Sequence, residues 1–146
     1  MKLDVGAGMK AHDGYLRVDI AGQPDVRCDA RHLPFREGAF EEVQLEHVLE
    51  HIPREYLIPV MNEAHRVLKP KGKVRIEVPV FPFWTAIADP THVSFFVSQT
   101  FDYFTEDHQG IGDYKVLYGI KTWRNKSSVR LCNGEILGVE MEKVAS

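Results

Sequence analysis

Short runs in which apolar and polar residues alternate recur through the first third of the chain, each closed by glycine or proline. They are Leu3 to Val5 before Gly6-Ala7-Gly8, Tyr15 to Ile20 before Gly22 and Pro24, Val26 to Cys28, and Phe40 to Leu45. Side chains on a pleated strand point to opposite faces in turn, so these runs predict strands. From Pro53 the period changes. Tyr56, Leu57, Val60, Met61, Ala64, Val67 and Leu68 fall three and four apart, which predicts a helix over 53–68. Pro53 suits its first turn, and Pro59 means either that the helix proper begins near it or that a kink divides the element. Lys69-Pro70-Lys71-Gly72 stops the helix, and Val74 to Val80 resumes as a strand.

Strands alternating with helical connections imply an α/β fold, a Rossmann-like three-layer sandwich around a parallel sheet. The later chain departs from that rhythm. Phe81 to Gly112 is rich in aromatics, proline and histidine, and reads as a surface segment with a short helix capped by Ser98 and packed through Phe101 and Phe104. Tyr114 to Trp123 and Ile136 to Val144 read as strands. Asn133-Gly134 predicts a hairpin pairing Ser128 to Cys132 with the last strand, so a mostly parallel sheet ends in antiparallel C-terminal strands.

At 146 residues, 44% apolar and 27% charged, the chain has the size and composition of one domain, 1–146. No apolar run approaches the roughly 20 residues of a membrane helix, and no basic-then-apolar leader follows Met1, so no membrane partner is expected and the expected location is cytoplasmic. A net charge of -3 supplies no broad basic field, and nucleic acid is not indicated as a partner. Lys115, Lys121, Arg124, Lys126 and Arg130 around Tyr118 and Trp123 read as a solvated strand edge, with phosphate or RNA contact as the alternative. Cys28 and Cys132 have no partner at metal-motif spacing.

The chemistry begins at Leu3-Asp4-Val5-Gly6-Ala7-Gly8, because glycines after a first strand let the backbone approach a nucleotide-like ligand closely. Gly6 to Ala11 satisfies the loose G-x-G-x-x-A pattern, which brings in a nicotinamide cofactor. Asp4 before the glycines, and Asp19 arriving sooner than the roughly 20-residue interval of the dinucleotide fingerprint, weigh against it. A ligand with a cationic amino group and no phosphate would instead be complemented by the Asp4 carboxylate, and S-adenosylmethionine fits that description.

Several ordered motifs agree. Gly14-Tyr15 with Val18-Asp19-Ile20, then Asp29-Ala30-Arg31-His32-Leu33-Pro34-Phe35, His47-Val48-Leu49-Glu50-His51, and His65-Arg66-Val67-Leu68-Lys69-Pro70 with Gly72 resemble the class I S-adenosylmethionine-dependent methyltransferases over Leu3 to about Phe104. The resemblance implies S-adenosylmethionine as cofactor and methyl transfer to a nucleophile as activity, with a noncatalytic cofactor-binding module as the alternative. It places the methionine part at Gly6, Ala7 and Gly8, the ribose hydroxyls on Asp19 beside Ile20, and the adenine amino group on Asp29 with the Ala30 backbone against the ring. Glu46 and His47 would line the cleft after the fourth strand. Lys10 stands where the family has a third glycine, and the first helix is nearly absent. The usual N-terminal cover is lacking before Met1, so a second copy of the chain is a candidate partner.

His47-Val48-Leu49-Glu50-His51 also matches the inverted zinc-protease motif H-x-x-E-H, but Pro53 follows closely and the sequence identifies no third ligand, so no metal is expected. Asp89-Pro90-Thr91-His92, before Phe95 and Phe96, resembles the segment that overhangs the active-site end of these enzymes. His92 is the candidate general base; a hydrogen-bonded loop brace is the alternative.

Overall fold

The computed structural model describes residues 1–10, 12–106 and 112–145. Ala11, the last position of the loose dinucleotide pattern, lies outside them. Seven strands form one sheet: β1 (Lys2–Val5), β2 (Tyr15–Asp19), β3 (Val26–Arg27), β4 (Phe40–Glu46), β5 (Leu68–Pro79), β6 (Trp123–Leu131) and β7 (Ile136–Lys143), in the order β3-β2-β1-β4-β5-β7-β6. The first five are parallel, and β7 runs antiparallel to both β5 and β6. The chain winds outward from β1 to β3 and then returns to the other side at β4. The carboxyl ends of β1 and β4 therefore part at a switch point, where open α/β sheets take their ligands.

The two faces of the sheet differ sharply. Leu3, Val5, Val18, Val43, Leu45, Val74, Ile76 and Val78 point to one side and are nearly inaccessible to water. On that side lies α1 (Leu57–Val67), whose Leu57, Val60, Met61, Ala64 and Val67 fill the core as their spacing predicts. A turn of 3₁₀ helix at Arg54–Tyr56 leads into it, so Pro59 falls in the first turn of α1, where a missing N–H costs nothing.

The opposite face carries charge in stripes. Lys2 on β1 meets Glu42 on β4, Arg75 on β5 meets both Glu42 and Glu140, Lys73 meets Glu140, and Arg124 and Lys126 on β6 meet Glu142 on β7. The Tyr15 hydroxyl donates to Glu42; burial, reinforced by that carboxylate, pushes the phenol up to about 12, so it remains a donor. Among the described residues, the first two crossovers add no helical layer on this face. Residues 6–14 and 20–25, which cross between β1, β2 and β3, hold no helix among the described residues, and a face without a helix to pack against carries charges instead of apolar side chains.

The C-terminal hairpin forms as expected around Cys132-Asn133-Gly134, all three with positive φ. Three local expectations change. Tyr114–Tyr118 belongs to a helix, α3 (Gly112–Tyr118), not to a strand: Tyr114 and Tyr118 are one turn apart with ring centroids 5.9 Å from each other, and Gly119 ends the helix at φ 71. At the 3₁₀ turn Ser98–Phe104 the Thr100 hydroxyl, rather than Ser98, accepts the entering N–H, from Val97 at 3.1 Å. Strand β5 already begins at Leu68, running through the basic stop signal. No helix among the described residues is long and apolar enough to cross a membrane.

His65 locks α1 to the end of the chain. Its Nε2 lies 3.2 Å from the Thr122 carbonyl and 3.1 Å from that of Val144, so it donates there, and its ring meets Trp123 edge-on. Burial, helped by nearby Lys143, pushes the imidazole below its ordinary value. The unfolded chain therefore binds the proton more readily. The contribution of His65 is complete above the ordinary imidazole pKa near 6.5 and is lost as pH falls below it. Thermal unfolding should shift downward between pH 7 and pH 5, by about 2–4 °C per kcal/mol, and His65→Gln should flatten that dependence. An equal slope in the variant would assign it to other groups.

Candidate functional site

Beyond Val5 the chain turns back at once. The Gly6 and Ala7 N–H groups both donate to the Val18 carbonyl, at 2.8 and 3.2 Å, which folds the loop onto the end of β2. Gly6 has φ 71, and a Cβ on it would stand 2.4 Å from Val48 Cγ2. Both the dihedral and the space demand glycine. The Gly8 N–H donates to Asp19 Oδ2 at 2.8 Å, and the Ala21 N–H donates to Asp19 Oδ1 at 3.1 Å. A single carboxylate at the end of β2 thus ties down the glycine loop on one side and its own turn on the other.

These loops border a cavity of about 430 Å³, within the range of small-molecule sites. Val5, Val18 and Val48 make an apolar floor, and Gly6, Asp19, Ile20, Asp29, Ala30 and His47 line it as expected. Arg31, His51 and Tyr56 also line it and were not expected. Arg31 forks onto Asp29, with Nη2 at 2.7 Å from Oδ2 and Nε at 3.1 Å from Oδ1, while its guanidinium lies 4.3 Å from the Tyr56 ring centre. This fork holds the Asp29 carboxyl below the usual carboxylate range. Tyr56 opened the apolar stripe of the predicted helix, and nothing in that periodicity separates a core position from one at a cleft.

Five expected residues do not line the cavity: Asp4, Ala7, Gly8, Glu46 and His92. Asp4 is 2% exposed on the charged face, where His12 Nδ1 lies 3.0 Å from Oδ2; burial pushes its carboxyl up. Glu46 meets the other nitrogen of His12 at 3.3 Å, so the two acids hold the β1–β2 crossover down onto the sheet. Ala7 is buried and Gly8 exposed in the loop that follows Gly6. His47 takes φ 55 and sits between Glu50 at 3.3 Å and Glu77 at 3.6 Å; the hydrogen bond to Glu50 holds its imidazole above the ordinary value.

The H-x-x-E-H run does not form a motif helix. Leu49–His51 is a single 3₁₀ turn, which points His47 toward Glu77 and His51 toward the loop after β5. His92 does not reach the cavity and lies behind His51, with ring centroids 4.8 Å apart. Its Nδ1 is 2.8 Å from the Ala86 carbonyl and its Nε2 3.6 Å from Asp89.

Residues 3–76 match the methyltransferase domain family. No curated protein matches the sequence. Among solved structures, the chain is similar to the 1,6-didemethyltoxoflavin-N1-methyltransferase of Burkholderia thailandensis, bound to 1,6-didemethyltoxoflavin and S-adenosylhomocysteine, with TM-score 0.67 and 16% identity over 99% of this chain and 71% of that one. An S-adenosylmethionine-dependent methyltransferase of Archaeoglobus fulgidus gives 0.65 and 16% over 97% and 85%. A 16S rRNA adenine N1-methyltransferase variant from Catenulisporales acidiphilia gives 0.63 and 16% over 99% and 84%. At these identities the likeness is one of fold.

Proposed function

The chain belongs to the methyltransferase domain family, and from that premise we propose that its cleft holds S-adenosylmethionine and presents the methyl group to an acceptor nucleophile. The observation that carries the placement is the Asp19 carboxylate, which lines the cavity while the Gly8 N–H fixes its orientation. Each of its oxygens keeps a lone pair for a vicinal diol, which suits ribose. Gly6 and Val5 line the part of the cavity we assign to the methionine part. Ile20 and Ala30 offer apolar surface to a base, and Asp29, steadied by Arg31, accepts from an exocyclic amine. Asp4 serves the site by holding His12, and with it the loop.

When bound, S-adenosylmethionine supplies an electrophilic methyl on a sulfonium centre. Attack disperses charge, so the chain's part is to align donor and acceptor and keep water out. His51 also lines the cavity and is the side chain we assign to meet an acceptor.

S-adenosylhomocysteine at 100 times its dissociation constant should raise the unfolding free energy by about 2.7 kcal/mol, while NADH leaves the melting curve unmoved. The reverse result would make the cleft a dinucleotide site. Methyl-labelled cofactor offered with small oxygen and nitrogen nucleophiles, then with RNA, tests transfer itself; tight binding with no transfer to any of them would favour the noncatalytic module.

A further inference from the structure

We propose that Glu50, His51 and His92 form a site for a divalent transition-metal ion of the zinc class, at the edge of the cleft that His51 lines. One ligand atom from each lies within 4.8 Å of the others. The hydrogen bonds around the two imidazoles set their tautomers. His92 Nδ1 faces the Ala86 carbonyl at 2.8 Å, which can only accept, so Nδ1 carries the proton and Nε2 keeps its lone pair. The Thr91 hydroxyl donates to Asp89 Oδ1 at 2.7 Å and so accepts from His51 Nδ1 at 3.0 Å, which leaves His51 Nε2 unprotonated as well. Each ring thus donates its proton to an oxygen and leaves its other nitrogen free, the arrangement typical of metal-bound histidine.

One carboxylate oxygen of the third member has no hydrogen-bond partner among the described residues. Glu50 is 1% exposed; Oε2 meets only His47 at 3.3 Å, and Oε1 is buried with no hydrogen-bond partner. A buried carboxylate oxygen left without a donor costs several kcal/mol, and a cation between it and the two lone pairs removes that cost. Asp89 Oδ2, 3.6 Å from His92 Nε2, adds negative charge beside the group without being one of its three members. The ligands of tetrahedral zinc stand roughly 3.4 Å apart, so side-chain rotations of about 1 Å complete the set. The sequence motif named His47 as the second imidazole; the fold supplies His92 instead. Three protein ligands leave a position open, in which an ion would polarise an acceptor oxygen and lower its pKa. That role rests on the methyl-transfer reading, whereas the site itself does not.

The test is titration of the chelator-treated full chain with Zn²⁺ by calorimetry and with Co²⁺ by visible absorption. One equivalent should bind with micromolar affinity or better, and Co²⁺ should give the ligand-field bands of a four-coordinate site. His51→Ala, His92→Ala and Glu50→Gln should each weaken Zn²⁺ binding by more than the about 10–100-fold typical of an outer-shell partner. Glu77→Gln, in the neighbouring cluster of Glu46, His47 and Glu77, should leave it unchanged. No saturable binding, equal affinity in His92→Ala, or loss in Glu77→Gln would each overturn the assignment. If His92→Ala fails to fold, His92→Gln keeps the bulk, and an unaltered Co²⁺ spectrum in it would also overturn the site. S-adenosylhomocysteine affinity of the metal-free protein, measured on the same samples, reports separately on the cofactor reading.

Discussion

Asp19→Ala should lower the affinity for S-adenosylhomocysteine at least tenfold. A hydrogen bond to a charged acceptor contributes about 1.5–3 kcal/mol, which is tenfold or somewhat above a hundredfold in a dissociation constant. The upper end is expected, because the substitution also releases the Gly8 N–H and, with it, the shape of the loop that borders the cavity. Asp19→Asn separates the two roles. Its amide oxygen can accept from Gly8 or from Ala21 but not from both, so it should fall between wild type and alanine. Calorimetry checks the ranking, with circular dichroism confirming a folded variant. An unchanged dissociation constant in folded Asp19→Ala would remove the residue from the ribose.

Gly6→Ala should act on stability before it acts on binding. A left-handed dihedral costs a residue with a Cβ roughly 1–2 kcal/mol, and forcing that atom against Val48 adds about 1–3 kcal/mol of overpacking. The sum is a large share of the 5–15 kcal/mol that holds a typical domain together. Two companions test the division. Gly8→Ala, at φ 58 with nothing within 4 Å of the added Cβ, should cost only the conformational part. Adding Val48→Ala to Gly6→Ala should recover part of the overpacking, although the Val48 Cβ, 3.2 Å away, keeps the recovery incomplete. Urea denaturation of wild type, Gly6→Ala, Val48→Ala and the double variant gives the cycle; strict additivity of Gly6→Ala and Val48→Ala would show that their contact contributes nothing.

The sheet was legible in the sequence because its parallel strands are short period-two runs bounded by glycine or proline, and because the spacing within α1 admits only a helix. The cofactor residues expected at the ends of the first three strands include Gly6, Asp19, Asp29 and Ala30, and these four line one cavity. Local pattern failed at Tyr114–Tyr118, where aromatic and β-branched residues suit strand and helix alike and tertiary packing decides. It could not show how Asp29 would be shared with Arg31, since a charge two residues away is as often turned to solvent. Nor could it join Glu50 and His51 to His92. Those residues are some forty positions apart, and they meet only because the loop after β5 returns over the turn after β4, where the N–H groups of Val93 and Ser94 both donate to the Glu50 carbonyl.

The striped face of the sheet acts as a vernier for strand alignment. A slip of β7 along β5 by one residue would be rejected by the core, because it drives Glu140 and Glu142 inward. A slip by two keeps every apolar side chain on the proper side, so hydrophobicity alone is nearly blind to it. The charges are not. The acidic stripe on β7 is two residues long, with Gly138 above it on the same face, and β5 answers with two bases, Lys73 and Arg75. Displacement by two would set one of those bases against glycine or beyond the end of the stripe. The chain, whose first crossovers hold no helix among the described residues, thus carries on its wet side an independent check that its strands are paired in step.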